Sequence, residues 1–312
     1  MSADQAIPSH VGWASSILIF LHMGKTGGST LSAILTRNFA ANGQFAGQFD
    51  GHLRATGISS LAAAQKAFED LAPEKQAQIK LVNGHVPFGI HAFLPRPAYY
   101  ISLVREPIER EISNFYYMKL QTGTKMGRFL VTMDFAEFAK KGFSADNYQT
   151  RILSGLEELN PLWDAETHGG IINDQGTALQ SAKHNVERHF LLAGPMERFD
   201  EVVVSLARRL GWDLGSVTYE RLNVTPQRPS RDNLSKAAVE AVKERTRLDL
   251  DLYQWIAARF DQDVRGEGHS FQRDLARFRN VNKKKMKQSS ASAPFWSALQ
   301  RSLSTWFRRD HT

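Results

Sequence analysis

The run His22-Met23-Gly24-Lys25-Thr26-Gly27-Gly28-Ser29-Thr30 gathers one lysine, three glycines and three hydroxyl side chains in nine residues. Glycines let successive backbone N–H groups converge on an anion, a following helix N-terminus adds partial positive charge, and Lys25 with the hydroxyls completes the cradle. A phosphate or sulfate fits such a turn. The phosphate loop of nucleoside triphosphatases carries a further glycine five residues before Gly24, and that position is Ile19. The loop is therefore of another kind. A second anion-binding pair is Arg105 and Ser113, eight positions apart, about two helical turns when the arginine ends a strand and the serine sits on the next helix. A guanidinium fork and a hydroxyl could then grip one anionic group.

These residues need strands and helices to hold them. Short apolar runs at 17–21, 79–82, 99–104 and 190–193 read as buried strands. Apolar residues at three and four spacing read as helices over 30–39, 61–71, 107–119, 196–210 and 234–260, with Pro107 suited to a first helical turn. The alternation predicts an α/β fold. Residues 121–189 mix helical pieces with Gly-rich turns and read as an insertion shaping an acceptor site.

The chain has 312 residues, 42% of them hydrophobic and 23% charged, enough to bury one large domain with a small appendage. No cysteine is present, which removes disulfides, thiol nucleophiles and thiolate metal sites. The apolar run at 17–21 is far below the roughly 20 residues of a membrane span, and the start reads as mature and non-exported. The net charge of +7 is uneven: residues 277–312 carry +8 and the rest −1. The body is thus not marked as a nucleic-acid binder. The charge sets off a basic amphipathic tail at 277–312 from a domain at 15–276, which an extension at 1–14 precedes.

The segments at 22–30 and 103–113 together resemble the sulfotransferases that use 3′-phosphoadenosine 5′-phosphosulfate (PAPS). The first is similar to that family's loop for the 5′-phosphosulfate, and the second, Leu103-Val-Arg-Glu-Pro-Ile-Glu-Arg-Glu-Ile-Ser113, to its 3′-phosphate segment. The Lys-Thr-Gly-Gly form and Asp249-Leu-Asp-Leu-Tyr253 resemble the carbohydrate 2-O-sulfotransferase branch and its bacterial relatives. The resemblance implies a P-loop-like three-layer α/β fold with a central, mostly parallel sheet flanked by helices, followed here by a C-terminal helical tail. It also implies PAPS as co-substrate, released as 3′,5′-adenosine bisphosphate, with no metal.

In that family Val82-Asn-Gly-His85 is similar to the segment carrying the catalytic base, which makes His85 the candidate base; Asn83 stands where the branch often has a second histidine. A histidine with an ordinary pKa of about 6.5 keeps neutral imidazole available at neutral pH. Asp50, His52 and His91 are reserves. The resemblance assigns Lys25 to the leaving group, Thr26, Gly27, Gly28, Ser29 and Thr30 to the phosphosulfate, Arg105 and Ser113 to the 3′-phosphate, and Asn223 and Arg228 to a loop closing over the adenosine. Ala193-Gly-Pro-Met-Glu-Arg198 reads as architecture, with Arg198 in an ion pair.

The expected acceptor is a hydroxyl on a saccharide or glycolipid. Residues 281–309 combine a lysine cluster with an apolar face of Phe295, Trp296, Leu299, Leu303, Trp306 and Phe307, a pattern suited either to an anionic membrane surface or to docking on protein. The matching location is cytoplasmic, peripheral at the inner membrane face if the tail binds lipid. Two rival readings are a nucleotide-dependent phosphotransferase and a non-catalytic peripheral membrane protein on the same scaffold.

Overall fold

Five short segments pair into one wholly parallel sheet: β1 (Ile17–Leu21), β2 (Phe45–Gly47), β3 (Ile79–Gly84), β4 (Ala98–Val104) and β5 (Phe190–Pro195), in the order β2-β3-β1-β4-β5. The computed structural model describes residues 15–41, 45–47, 60–142, 146–156, 174–220, 222 and 229–291. Every residue of β1 is buried, as a strand covered on both faces must be. Leu18 and Phe20 face one layer, Ile17, Ile19 and Leu21 the other.

The described helices are α1 (Gly28–Ala41), α2 (Leu61–Glu69), α3 (Pro73–Gln78), α4 (Pro107–Leu120), α5 (Lys125–Leu130), α6 (Phe135–Lys141), α7 (Tyr148–Ser154), α8 (Gln175–His189), α9 (Phe199–Leu210), α10 (Lys236–Arg245), α11 (Arg247–Gly266) and α12 (Gly268–Ala291). On one sheet face pack α1, α9 and α12 through Leu31, Leu35, Val203, Leu206, Phe271 and Phe278. Against the other pack α2, α7 and α8 through Phe68, Ile152, Leu153 and Val186. The helix α11 serves both, with Leu252 and Ile256 in the second layer and Phe260 and Val264 in the first. A separate apolar cluster joins α4, α5, α6 and α10 around Ile112, Phe115, Phe138 and Val242. The expected three-layer α/β fold, with a parallel centre and a helical C-terminal region, is what the chain adopts.

Strand order determines where a ligand can sit. The chain leaves β1 for one side of the sheet, returns along β3 and crosses to β4 on the other side of β1. Loops after β1, β3 and β4 therefore meet in the crevice at the strands' carboxyl ends.

Three elements differ from the sequence reading. The strand β2 was not foreseen. The expected helix over 234–260 is two helices, because Thr246 leaves helical geometry (φ −111°, ψ 23°). There the Asn147 side-chain oxygen accepts from Leu248 N at 2.9 Å, and Asn147 N donates to Arg245 O at 3.1 Å. The helix α12 also runs unbroken through the 276/277 boundary drawn from charge: Phe278 is in the core and Asn282 Oδ1 accepts from Tyr219 N at 2.7 Å. The apolar face at 295–307 lies outside the described residues, as do Asp50, His52, Asn223 and Arg228. Among the described residues no helix is long and apolar enough to cross a membrane.

Candidate active site

The turn between β1 and α1 begins where His22 N donates to Gly84 O at 2.9 Å, tying the ends of β1 and β3 together. Lys25 (φ 69°) and Gly27 (φ 82°) both take the left-handed conformation, uncommon for a lysine and typical of compact turns whose amides converge on an anion. Thr26, fully buried, donates its hydroxyl to Met23 O at 2.9 Å and stiffens the turn from within. Gly28 opens α1, and Thr30 N donates to Gly27 O at 3.2 Å. The Thr30 hydroxyl accepts from Leu222 N at 3.1 Å, so the segment after α9 reaches the cradle just before Asn223. The Lys25 ammonium lies 3.7 Å from the centroid of the Tyr117 ring on α4, a cation–π contact that holds a mobile side chain.

Arg105 leaves the end of β4 and donates from Nη1 to Lys25 O at 3.0 Å, while Nη2 lies 3.8 Å from Glu109. Its side chain is 12% exposed. The arginine and the loop, distant in sequence, thus share one wall. Ser113, two turns into α4, is 6% exposed. Arg110 stacks its guanidinium over the Tyr148 ring at 3.7 Å and donates to Gly24 O at 3.2 Å, while Tyr148 Oη accepts from Gly24 N at 3.1 Å.

The support behind these residues comes from α7 and α11. Gln149 clamps Arg105 on both sides of its backbone: Oε1 accepts from Arg105 N and Nε2 donates to Arg105 O, each at 2.9 Å. Gln149 is in turn fixed by Asp249, whose carboxylate accepts from Gln149 N at 3.0 Å, Thr150 N at 2.7 Å and Thr150 Oγ1 at 2.8 Å. The carboxylate occupies the amino end of α7, where amides lack intrahelical partners. Burial pushes its pKa up, opposed by the donated hydrogen bonds and by Arg110. Asp249 stood out in the sequence only as part of a resemblance; Tyr148, Gln149 and Tyr117 gave no local signal. A further brace is Glu197, accepting from Glu106 N and from the Tyr253 hydroxyl, each at 3.0 Å. Arg198 makes the expected ion pairs, with Glu201 and Asp261.

His85 follows β3 at the same edge of the sheet. Its ring stacks on that of His22, with centroids 4.4 Å apart and planes at 19°. Asn83 is 2% exposed and donates to Ser32 Oγ at 2.7 Å and Thr36 Oγ1 at 3.2 Å, so it fastens β3 to α1. The second ring beside His85 is thus His22, at the end of β1, and position 83 holds no histidine.

His91 lies elsewhere, bonded through Nδ1 to Tyr100 Oη at 3.0 Å and packed against His189, which directly precedes β5. Burial, with His189 adding to it, lowers its pKa to about 4. The unfolded chain binds that proton at about pH 6.5, so between these values the unfolded state holds more protons and stability falls as pH falls. A His91→Gln variant is expected to lose less melting temperature than wild type between pH 6.5 and 4. Parallel melting curves for the two proteins would exclude His91 as the origin of acid sensitivity.

Fold and site define an α/β protein with a glycine-rich turn at the carboxyl edge of a parallel sheet, bonded by Arg105 and bordered by the stacked rings of His22 and His85. The chain belongs to the galactose-3-O-sulfotransferase family, whose model matches residues 2–294. It is 26% identical to human galactosylceramide sulfotransferase over 86% of this chain and 62% of the relative, and 27% identical to the mouse protein over 85% and 62%. Mouse galactose-3-O-sulfotransferase 3 is 25% identical over 69% of this chain and 50% of the relative. The chain thus spans under two thirds of the length of these relatives. Membership of the PAPS-dependent sulfotransferases holds, but the branch is the galactose-3-O one and not the 2-O branch that Lys-Thr-Gly-Gly and Asp249–Tyr253 had brought forward.

Proposed function

We propose that this chain transfers a sulfuryl group from PAPS to a hydroxyl of a galactose-bearing saccharide or glycolipid. The observation that carries this reading is the junction of the two anion-binding segments, Arg105 Nη1 on Lys25 O at 3.0 Å. Two anionic groups of one nucleotide need such neighbouring sites, and the residues present fit them: a cradle closed by Thr26 and a clamped arginine. Bound PAPS supplies the sulfuryl group and a bisphosphate leaving group for in-line displacement by the acceptor oxygen. Amides from Thr26 to Ser29 hold nonbridging oxygens, the Thr30 amide being given to Gly27 O, and Lys25 balances charge on the departing oxygen. His85 takes the acceptor proton on a neutral ring nitrogen. Arg105 and Ser113 hold the 3′-phosphate, with Asn223 and Arg228 assigned to the adenosine side. Positioning and charge stabilisation supply most of the catalysis, as in phosphoryl transfer.

Calorimetric titration with 3′,5′-adenosine bisphosphate tests the donor site. Binding is expected without magnesium, and Arg105→Ala should weaken it by about 10- to 100-fold, the worth of a charge-assisted contact. Wild-type affinity in that variant would remove Arg105 from the site. Binding of magnesium-ATP in place of the bisphosphate would favour the phosphotransferase reading.

Membrane contact through 281–309 goes with a cytoplasmic, peripheral location. Since Asn282 and Lys285 hold Tyr219 and Thr218, the informative truncation removes only 292–312. Pelleting with anionic liposomes should be lost in that protein; unchanged pelleting would remove the tail as the anchor.

A further inference from the structure

We propose that His22 is a positioning residue for His85, holding its imidazole by a face-to-face stack and stabilising the imidazolium formed when His85 takes a proton. This rests on the reading of His85 as base. The ends of β1 and β3 are in register, Leu21 opposite Gly84, and the His22 N to Gly84 O bond continues that pairing by one residue. The backbone therefore brings the two side chains to the same edge, where their rings stack at 4.4 Å and 19°. His22 is itself held. Its ring stacks with Phe20 at 5.3 Å and 11°, and a Cβ built on Gly28 would come 2.0 Å from His22 Cδ2.

That last distance explains Gly28, the third glycine of the loop. Gly27 is needed for its positive φ, whereas Gly28 has no such demand and instead leaves the volume that the His22 ring fills. A ring wedged over the first residue of α1 and against Phe20 offers His85 a fixed π face. A fixed face limits the rotamers of the stacked imidazole, and a neutral ring beneath a forming cation attracts it as cation–π pairs do. Since the work is done by an aromatic face and not by a proton on His22, phenylalanine should replace it and alanine should not.

The test compares His22→Ala, His22→Phe and His85→Ala in full-length protein, with galactosylceramide and lactose as acceptors. His22→Ala is expected to lower kcat about tenfold or more, with KM for acceptor and affinity for 3′,5′-adenosine bisphosphate within about twofold. His22→Phe should return kcat to within about threefold of wild type. In NMR spectra the His85 Cε1–H resonance should shift in His22→Ala and stay shielded in His22→Phe, a readout that needs no turnover. Wild-type kcat in His22→Ala beside an inactive His85→Ala would overturn the proposal and leave the base assignment standing. Equal losses in His22→Phe and His22→Ala would overturn it as well, since the ring face would then not be what acts. Full activity of His85→Ala would overturn the base assignment and this role of His22 together.

Discussion

Lys25→Ala is expected to lower kcat by about 10²- to 10³-fold while changing bisphosphate affinity far less, the signature of an interaction made mainly in the transition state. The backbone supports this separation. Lys25 already stands at φ 69°, and alanine tolerates that conformation no worse than lysine, so the turn and its amides should persist. Thr26 remains anchored to Met23 O and Arg105 remains bonded to the carbonyl of residue 25, which leaves donor recognition largely intact. What disappears is the one ammonium that rests on Tyr117 and that would meet the oxygen on which negative charge grows. Steady-state kinetics with a galactose-terminated acceptor, alongside calorimetry with the bisphosphate, measure the two quantities. A kcat within threefold of wild type would show that Lys25 does not stabilise the leaving group.

Asp249→Ala should cost about 3 kcal/mol of stability, because it leaves two amides and a hydroxyl without their acceptor in a buried site. Asp249 is 1% exposed, and its three donors all lie at 3.0 Å or less. Part of the loss is offset, since burial of the carboxylate is itself unfavourable. For a domain of this size the change corresponds to about 6–12 °C in melting temperature. The same variant should weaken bisphosphate binding, because Gln149 loses its anchor and Gln149 holds the backbone of Arg105. Differential scanning calorimetry and titration of one preparation check both effects. An unchanged melting temperature would mean that α7 does not depend on the carboxylate, and weakened stability with intact donor affinity would break the link to Arg105.

The parts of the site readable in the sequence are those whose physics is local. A continuous apolar run, glycine punctuation and a lysine are neighbours in the chain, so β1 and its turn were legible, as was Arg105 before Pro107. The three-residue β2 has too little pattern to register. Where α10 ends at Thr246, Asn147 bonds the flanking Arg245 O and Leu248 N, and Asp249 acts on residues 99 and 100 positions earlier, distances that no window of periodicity spans. His22 and His85 meet only because β1 and β3 are adjacent. In α12 the buried stripe Phe271, Leu275, Phe278 and Asn282 keeps helical spacing, but the lysines from residue 283 on drew the reading of a basic amphipathic tail back to residue 277.

The Asp249–Gln149–Arg105 relay also has a temporal side. Arg105 is made early, yet the groups that fix its backbone depend on a carboxylate that emerges from the ribosome much later. β4, which can pair with β1 at once, likewise waits through residues 105–189 before its second partner β5 exists, and such long-range parallel pairing is slow to form. The nascent chain holds the residues of the glycine turn soon after α1 is made, but the carboxylate that completes the arginine clamp beside it comes only with residue 249. The clamp on Arg105 is thus a feature that this chain acquires late in its synthesis, and a product ended before residue 249 would carry the glycine turn without it.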